Sequence, residues 1–154
     1  VEYIDLHAAA HEGVARLLVS TGILNCSAEQ ALDRRLTLPF LPHGLGHHLG
    51  LQVHDVAGHQ VDPGGAKMDP PAQHPFLRTT RPLEPGHLVT IEPGLYFIPM
   101  LLGPVRESEH AASVDWQKVD ELIPCGGIRI EDDVLVTGDG HEDLTRPLIP
   151  GHRD

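Results

Sequence analysis

The chain has 154 residues, 22 acidic against 11 basic side chains, a formal net charge of −11 and 40% hydrophobic residues. Its length sets one domain as the ceiling, large enough to bury roughly 70% of the surface that the unfolded chain exposes. The acidic balance excludes nucleic acid and anionic membrane surfaces as partners, because both select for basic patches, and no apolar run of about 18 residues marks a membrane span. Twelve histidines qualify that balance below about pH 6.5, and most of them are expected at the surface. Cys26 and Cys125 stand far apart without paired spacing, which reads as two reduced thiols in a cytoplasmic protein. The first residue is Val1 and Val1-Glu2-Tyr3-Ile4-Asp5 leads straight into a helix, so the sequence reads as a piece of a longer polypeptide.

Leu6, Ala10, Val14, Leu17 and Leu18 recur at helical spacing, and the period predicts an amphipathic helix from about Asp5 to Thr21, with Asp5 as its cap and Gly22 at its C-terminal turn. Ser27 and Gln30 have the spacing of a capping box, and residues 28–36 are good helix formers. Pro39, Pro42 and Gly44 then stop that helix. Residues 59–81 are rich in Pro and Gly with no sustained period, a long loop of the kind that is functional or mobile inside a compact domain. Residues 88–92 and 94–98 have strand composition, broken at Pro93-Gly94. Residues 128–137 read as a long strand or a strand pair ending at the turn sequence Gly138-Asp139-Gly140. Helices first, strands later and long loops between them favour α+β over a doubly wound sheet.

Chemistry concentrates in residues 43–55, His-Gly-Leu-Gly-His-His-Leu-Gly-Leu-Gln-Val-His-Asp. Imidazoles here alternate with glycines and aliphatic residues. Downstream, Glu92 ends the apolar run Val89-Thr90-Ile91 and Glu131 ends Ile128-Arg129-Ile130. Strand alternation puts Thr90 and Glu92 on one face and Arg129 and Glu131 on one face. A glutamate pointing from a strand into a core must be paired, protonated or metal-bound. One such glutamate is best read as half of a salt bridge; two of them with His47 shift the balance to a hard, oxygen-rich metal site. The glycines at 44, 46 and 50 do not make a nucleotide loop: their spacing is one residue too long, and no strand-then-helix context surrounds them. Neither H-E-x-x-H nor G-x-S-x-G occurs. Asp55 reads as a hydrogen-bonding turn residue.

The 43–55 segment resembles the histidine motif of the pita-bread metallopeptidases, the family of proline peptidases and methionine aminopeptidases. Residues 83–94, Leu-Glu-Pro-Gly-His-Leu-Val-Thr-Ile-Glu-Pro-Gly, and 126–132, Gly-Gly-Ile-Arg-Ile-Glu-Asp, resemble its two glutamate motifs in the right order. The glutamates are 131 − 92 = 39 residues apart, and the connecting residues 101–124 most resemble the Xaa-Pro dipeptidase branch from bacteria. The similarity runs from the first helix to Thr145. It implies the carboxyl-terminal portion of an α+β pita-bread fold, with a curved, antiparallel-rich sheet and helices on its outer face.

The resemblance also implies a pair of divalent ions, Mn²⁺ in the first place with Co²⁺ or Zn²⁺ as alternatives, and hydrolysis of Xaa-Pro dipeptides. His47 would be a metal ligand, Glu92 a terminal ligand that also passes a proton to the proline nitrogen, and Glu131 a bridging ligand. His43 and His54 would donate hydrogen bonds to substrate and to the developing oxyanion. Arg129 would hold a carboxylate ligand in place. Arg106 is a candidate clamp for the substrate's terminal carboxylate, a role that suits a bidentate guanidinium, and the 59–81 loop would help close the pocket.

The sequence departs from the family pattern at two of five ligands: the aspartates expected on a hairpin ahead of the first helix have no counterpart, and Asp5 does not match either. Three ligands should bind metal weakly and should not hold two ions about 3.5–4 Å apart. An upstream part of the same enzyme is therefore expected to complete the site, the isolated chain is expected to be inactive, and the resemblance implies a homodimer. Related readings on the same metals are an Xaa-Pro aminopeptidase or an organophosphate-hydrolysing relative; a different class is a non-catalytic binding module on the same fold.

Overall fold

The computed structural model describes residues 1–151, with α1 at Tyr3–Ser20, α2 at Ala28–Asp33, β1 at Leu88–Ile91, β2 at Gly94–Tyr96, α3 at Pro99–Arg106, α4 at Trp116–Leu122, β3 at Gly127–Arg129, β4 at Asp132–Val136 and β5 at His141–Asp143. Every strand pair is antiparallel, so the α+β expectation is met. No helix among the described residues is long and apolar enough to cross a membrane. The chain gathers into two compact units, one from residues 1–7, 43–93 and 130 onward, the other from residues 8–42 and 94–129.

The second unit owes its core to helices. Val14, Ala15, Leu18, Ile23, Leu24, Ala31, Leu36, Phe40, Leu41, Phe97, Leu102, Val114 and Val119 bury together, and the Phe40 and Phe97 rings meet edge to face at 5.8 Å. Helix α2 opens with the expected capping box: the Gln30 N–H donates to Ser27 Oγ, and the Ser27 N–H to Gln30 Oε1. Gly22 ends α1 at φ +69°, a left-handed turn that glycine makes without steric cost. Helix α1 begins at Tyr3, which places Asp5 inside the first turn and not at the cap. Helices α3 and α4 were not anticipated. Pro99, Gly103 and Pro104 in α3 look like breakers, yet Pro99 sits in the first turn, where no N–H is needed, and Leu102 is buried. Asp115 caps α4 by accepting from the Lys118 N–H. The pair β2–β3 sets Leu95 opposite Ile128.

The first unit carries the three-stranded sheet β1-β4-β5. Leu88 pairs with Leu135 and Ile91 with Asp132, and Val136 pairs with His141 across the predicted glycine turn. The 128–137 strand is interrupted: Ile130 and Glu131 lie between β3 and β4, so the two-residue alternation does not run unbroken from Arg129 to Glu131. The long loop is ordered by hydrogen bonds to itself. Thr80 N–H and Arg81 N–H both donate to Gly58 O at 2.9 and 3.0 Å, and Met68 N–H donates to His59 O at 2.9 Å. His7 Nε2 and His74 Nδ1 stand 3.0 Å apart and share a hydrogen bond that ties the loop to the second turn of α1.

The histidines are not mainly at the surface. Among the described residues only His54 and His141 are exposed, and His7, His11, His47 and His48 are buried. The buried positions of α1 are Tyr3, His7, His11, Val14, Ala15 and Leu18, whereas Leu17 is exposed. Imidazoles fill part of the helix face that periodicity assigns to aliphatic side chains. Counting only aliphatic residues therefore set the stripe partly off its true line.

Candidate metal centre

The site is built on β1. Residues 45–49 lie alongside it as an irregular extra strand: Glu92 N–H donates to Leu45 O at 2.7 Å, Thr90 N–H to His47 O at 2.8 Å, and Leu49 N–H to Leu88 O at 2.9 Å. Gly46 makes the approach possible, because a Cβ there would meet Tyr3 Oη at 2.5 Å and the Thr90 carbonyl carbon at 2.7 Å. On the other side of β1 runs β4. Continuing the pairing of Ile91 with Asp132 by one residue sets Glu92 opposite Glu131. Two like charges facing each other across a ladder are destabilising unless something cationic lies between them.

These elements bring three predicted ligands together. One donor atom each from His47, Glu92 and Glu131 lies within 4.8 Å of the others. His47 and Glu92 are buried, whereas Glu131 is exposed, so only one of the two glutamates is enclosed. His47 Nδ1 lies 3.0 Å from His48 O. A carbonyl can only accept, so Nδ1 carries the proton and Nε2 presents its lone pair. That lone-pair nitrogen is 3.4 Å from Glu92 Oε1, the separation of two ligand atoms that share an ion through bonds of about 2.0–2.1 Å in tetrahedral geometry. The donor set and its orientation fit a divalent metal.

His54 is exposed, with its ring edge to face on His47 at 4.4 Å. His43 is half-buried and its Nδ1 donates to Gly44 O at 2.8 Å. Asp55 does what a turn residue does: its Oδ1 accepts from the Ala57 N–H at 2.8 Å and caps a short 3-10 helix at Val56–His59. Arg129 Nε donates to Tyr96 Oη at 2.7 Å. Arg106 ends α3 with its guanidinium paired end-on to Asp120, at 2.9 and 2.7 Å, and stacked over Trp116.

Two groups beside the ligands have displaced protonation equilibria. Burial, with the Glu92 charge adding, pushes the Tyr3 phenol well above its usual range, so its hydroxyl stays a donor, to Thr90 O at 2.9 Å. Burial, with the fields of His87 and Arg81 adding, lowers His48 from 6.5 to about 4. Between those values the unfolded chain takes up a proton that folded His48 refuses. Stability should therefore fall as the pH drops from 6.5 to 4, with a slope of at most about 1.4 kcal/mol per pH unit from this group. Denaturant midpoints across that range, compared between the native chain and His48→Gln, measure it; an unchanged slope in the variant would exonerate His48.

Sequence reasoning placed Thr90 on the face of Glu92 but gave it no role, and it gave none to Tyr3. Both are buried; Tyr3 reaches Thr90 O, and Thr90 joins Glu92 two residues on to the distant His47 N–H, a link that local sequence does not announce.

Known proteins resemble this chain over most of its length. The model of metallopeptidase family M24 matches residues 1–138. The chain is 53% identical over 149 residues to the Xaa-Pro dipeptidase of Xanthomonas euvesicatoria pv. vesicatoria, covering 97% of this chain and 34% of that protein. It is also 53% identical to the Xaa-Pro dipeptidase of Pectobacterium atrosepticum, covering 96% and 34%. The chain thus spans about a third of the length of the curated relatives it matches. Among solved structures, a histidine-to-alanine variant of Escherichia coli aminopeptidase P superposes with a TM-score of 0.65 at 30% identity, covering 97% of this chain and 27% of that one. Aminopeptidase PepP of Pseudomonas aeruginosa gives 0.61 at 32% identity, covering 90% and 25%. The pita-bread expectation is met by these neighbours.

Proposed function

The chain belongs to metallopeptidase family M24, and on that premise we propose that it is the carboxyl-terminal part of the single catalytic domain of a cytoplasmic, metal-dependent Xaa-Pro dipeptidase. The observation that carries this is the convergence of His47, Glu92 and Glu131 within 4.8 Å, on a strand register that would otherwise set two carboxylates face to face. Identity favours a dipeptidase over an aminopeptidase: 53% to the dipeptidases against 30–32% to the aminopeptidase P structures. A non-catalytic module would have no need to keep three converging donors.

Two divalent ions, Mn²⁺ first among the candidates, would acidify water and polarise the scissile carbonyl. His47 offers Nε2 to one of them, oriented by the bond from Nδ1 to His48 O. Glu92 would offer Oε1, and its carboxylate would take up the proton released by the attacking water and pass it to the proline nitrogen as the peptide C–N bond breaks. Glu131 bridges. His43 and His54 donate hydrogen bonds to the substrate and to the oxyanion that develops on its carbonyl; His43, whose Nδ1 proton is engaged by Gly44 O, does so only as the imidazolium, through Nε2. Arg129 acts as an outer support for a ligand carboxylate. Arg106 receives the substrate's terminal carboxylate; Asp120 takes the end of its guanidinium, which leaves that carboxylate the Nε edge or the place of Asp120. Two further ligands and part of the pocket come from an upstream part of the same enzyme, which acts as a homodimer.

Hydrolysis of Ala-Pro with added Mn²⁺, by this chain alone and with the upstream part supplied, tests the reading. Activity only with the upstream part is the expected result. Activity of the chain alone would show that another carboxylate within it completes the site, and silence in both would overturn the dipeptidase assignment.

A further inference from the structure

We propose that Thr90 is the positioning residue of this centre: its hydroxyl fixes His47 and Glu92 to one point and selects the Glu92 oxygen that faces the ion. The inference rests on the metal reading above and extends it to a residue that binds no metal.

Thr90 is 1% exposed, between Glu92 at 6% and His47 at 4%. Its Oγ1 accepts from the His47 backbone N–H at 3.0 Å and donates to Glu92 Oε1 at 3.1 Å. The directions are forced, since a backbone N–H can only donate and a carboxylate oxygen accepts. The hydroxyl spends its proton on Oε1, the same oxygen that stands 3.4 Å from His47 Nε2. Two ligands from segments 45 residues apart, 92 − 47, are therefore referenced to one atom. The main chain holds the other end: Thr90 N–H donates to His47 O at 2.8 Å, and Thr90 O accepts from Tyr3 Oη at 2.9 Å.

A free glutamate has three side-chain torsions to fix before it can ligate, and fixing rotamers costs free energy. Thr90 settles the last of them before an ion arrives. Valine at this position has almost the same shape and no hydroxyl, so Glu92 Oε1 would lose the Thr90 hydrogen bond and the His47 N–H its bond to Oγ1. Groups that orient ligands in this way typically change metal affinity by about 10–100-fold when removed.

The test is Mn²⁺ titration calorimetry on the full-length natural polypeptide, stripped of metal, with thermal melting of the metal-free form measured in parallel. Thr90→Val should bind Mn²⁺ at least about tenfold more weakly, Thr90→Ser should restore most of the affinity, and the metal-free melting temperature should separate the two variants little. Thr90→Ala, which also lacks the hydroxyl, should repeat the loss and decides the matter if the valine variant fails to fold. Native affinity in Thr90→Val or Thr90→Ala would overturn the proposal. An equal loss in Thr90→Ser would do the same by assigning the effect to the methyl group. If the unmodified protein shows no Mn²⁺ binding that His47→Ala removes, the metal reading itself fails and Thr90's role falls with it; intact binding that is indifferent to Thr90 defeats this inference alone.

Discussion

Replacing His47 with alanine is expected to abolish Mn²⁺ binding and to cut Xaa-Pro hydrolysis by the complete enzyme on the order of a thousandfold. The size follows from what is removed. His47 supplies the one donor among the three that is not a carboxylate, already in the tautomer that turns a lone pair toward Glu92 Oε1. Without it Glu92 and Glu131 face each other with weaker reason for a cation to stay. Losing about 4 kcal/mol of transition-state stabilisation is about three orders of magnitude in rate. His141→Ala is the matched control, because His141 is exposed on β5 and remote in role; it should change neither quantity. Full activity in His47→Ala would reject the ligand set.

The second large effect is expected at a residue with no chemistry. Gly46→Ala adds one methyl group, and that methyl would be driven into the Thr90 carbonyl and the Tyr3 hydroxyl. Neither can give way: Thr90 is held in β1, and Tyr3 is fully buried. The strain is relieved only by lifting residues 45–49 off β1, which breaks the His47–Thr90 backbone bond and moves the ligand. A destabilisation of about 3 kcal/mol or more is expected, at the upper end of overpacking effects because backbone is the obstacle. Urea denaturation of the metal-free protein measures it; a loss below about 1 kcal/mol would mean that the segment shifts without strain.

Much of this was legible in the sequence. Ser27 and Gln30 announced the cap of α2, Gly22 the end of α1, and the glycine turn at 138–140 the β4–β5 hairpin, because each is a local rule. The ligand trio could be named because His47, Glu92 and Glu131 stand in segments whose order and composition are distinctive. What stayed hidden depends on contacts across the chain. Imidazoles in the buried stripe of α1 break the equation of aliphatic with inside. The helix at Pro99–Arg106 holds despite Pro99, Gly103 and Pro104, because burial of Leu102 outweighs propensity, whereas Trp116–Leu122, capped by Asp115 and rich in Gln, Lys, Glu and Leu, follows local rules that could have announced it. Glu131 lies outside any strand and is exposed, which alternation along 128–131 could not show. Thr90 carries no motif; only its distances to His47 and Glu92 single it out.

The pairing of β1 with β4 has a consequence for how such a chain can change over time. Glu92 and Glu131 meet because each directly adjoins a strand of one antiparallel pair and because β2 pairs with β3 just beyond them, whereas the 30 residues between Tyr96 and Gly127, 127 − 96 − 1, take no part in that register. Insertions or deletions in residues 97–126 can therefore accumulate, reshaping helices α3 and α4, while the two carboxylates keep their places. A single residue gained or lost within 88–92 or 131–136 would instead turn one acid to the opposite face of the sheet. Lineages of this chain should accordingly differ in length across the middle and be invariant in length along the two strands.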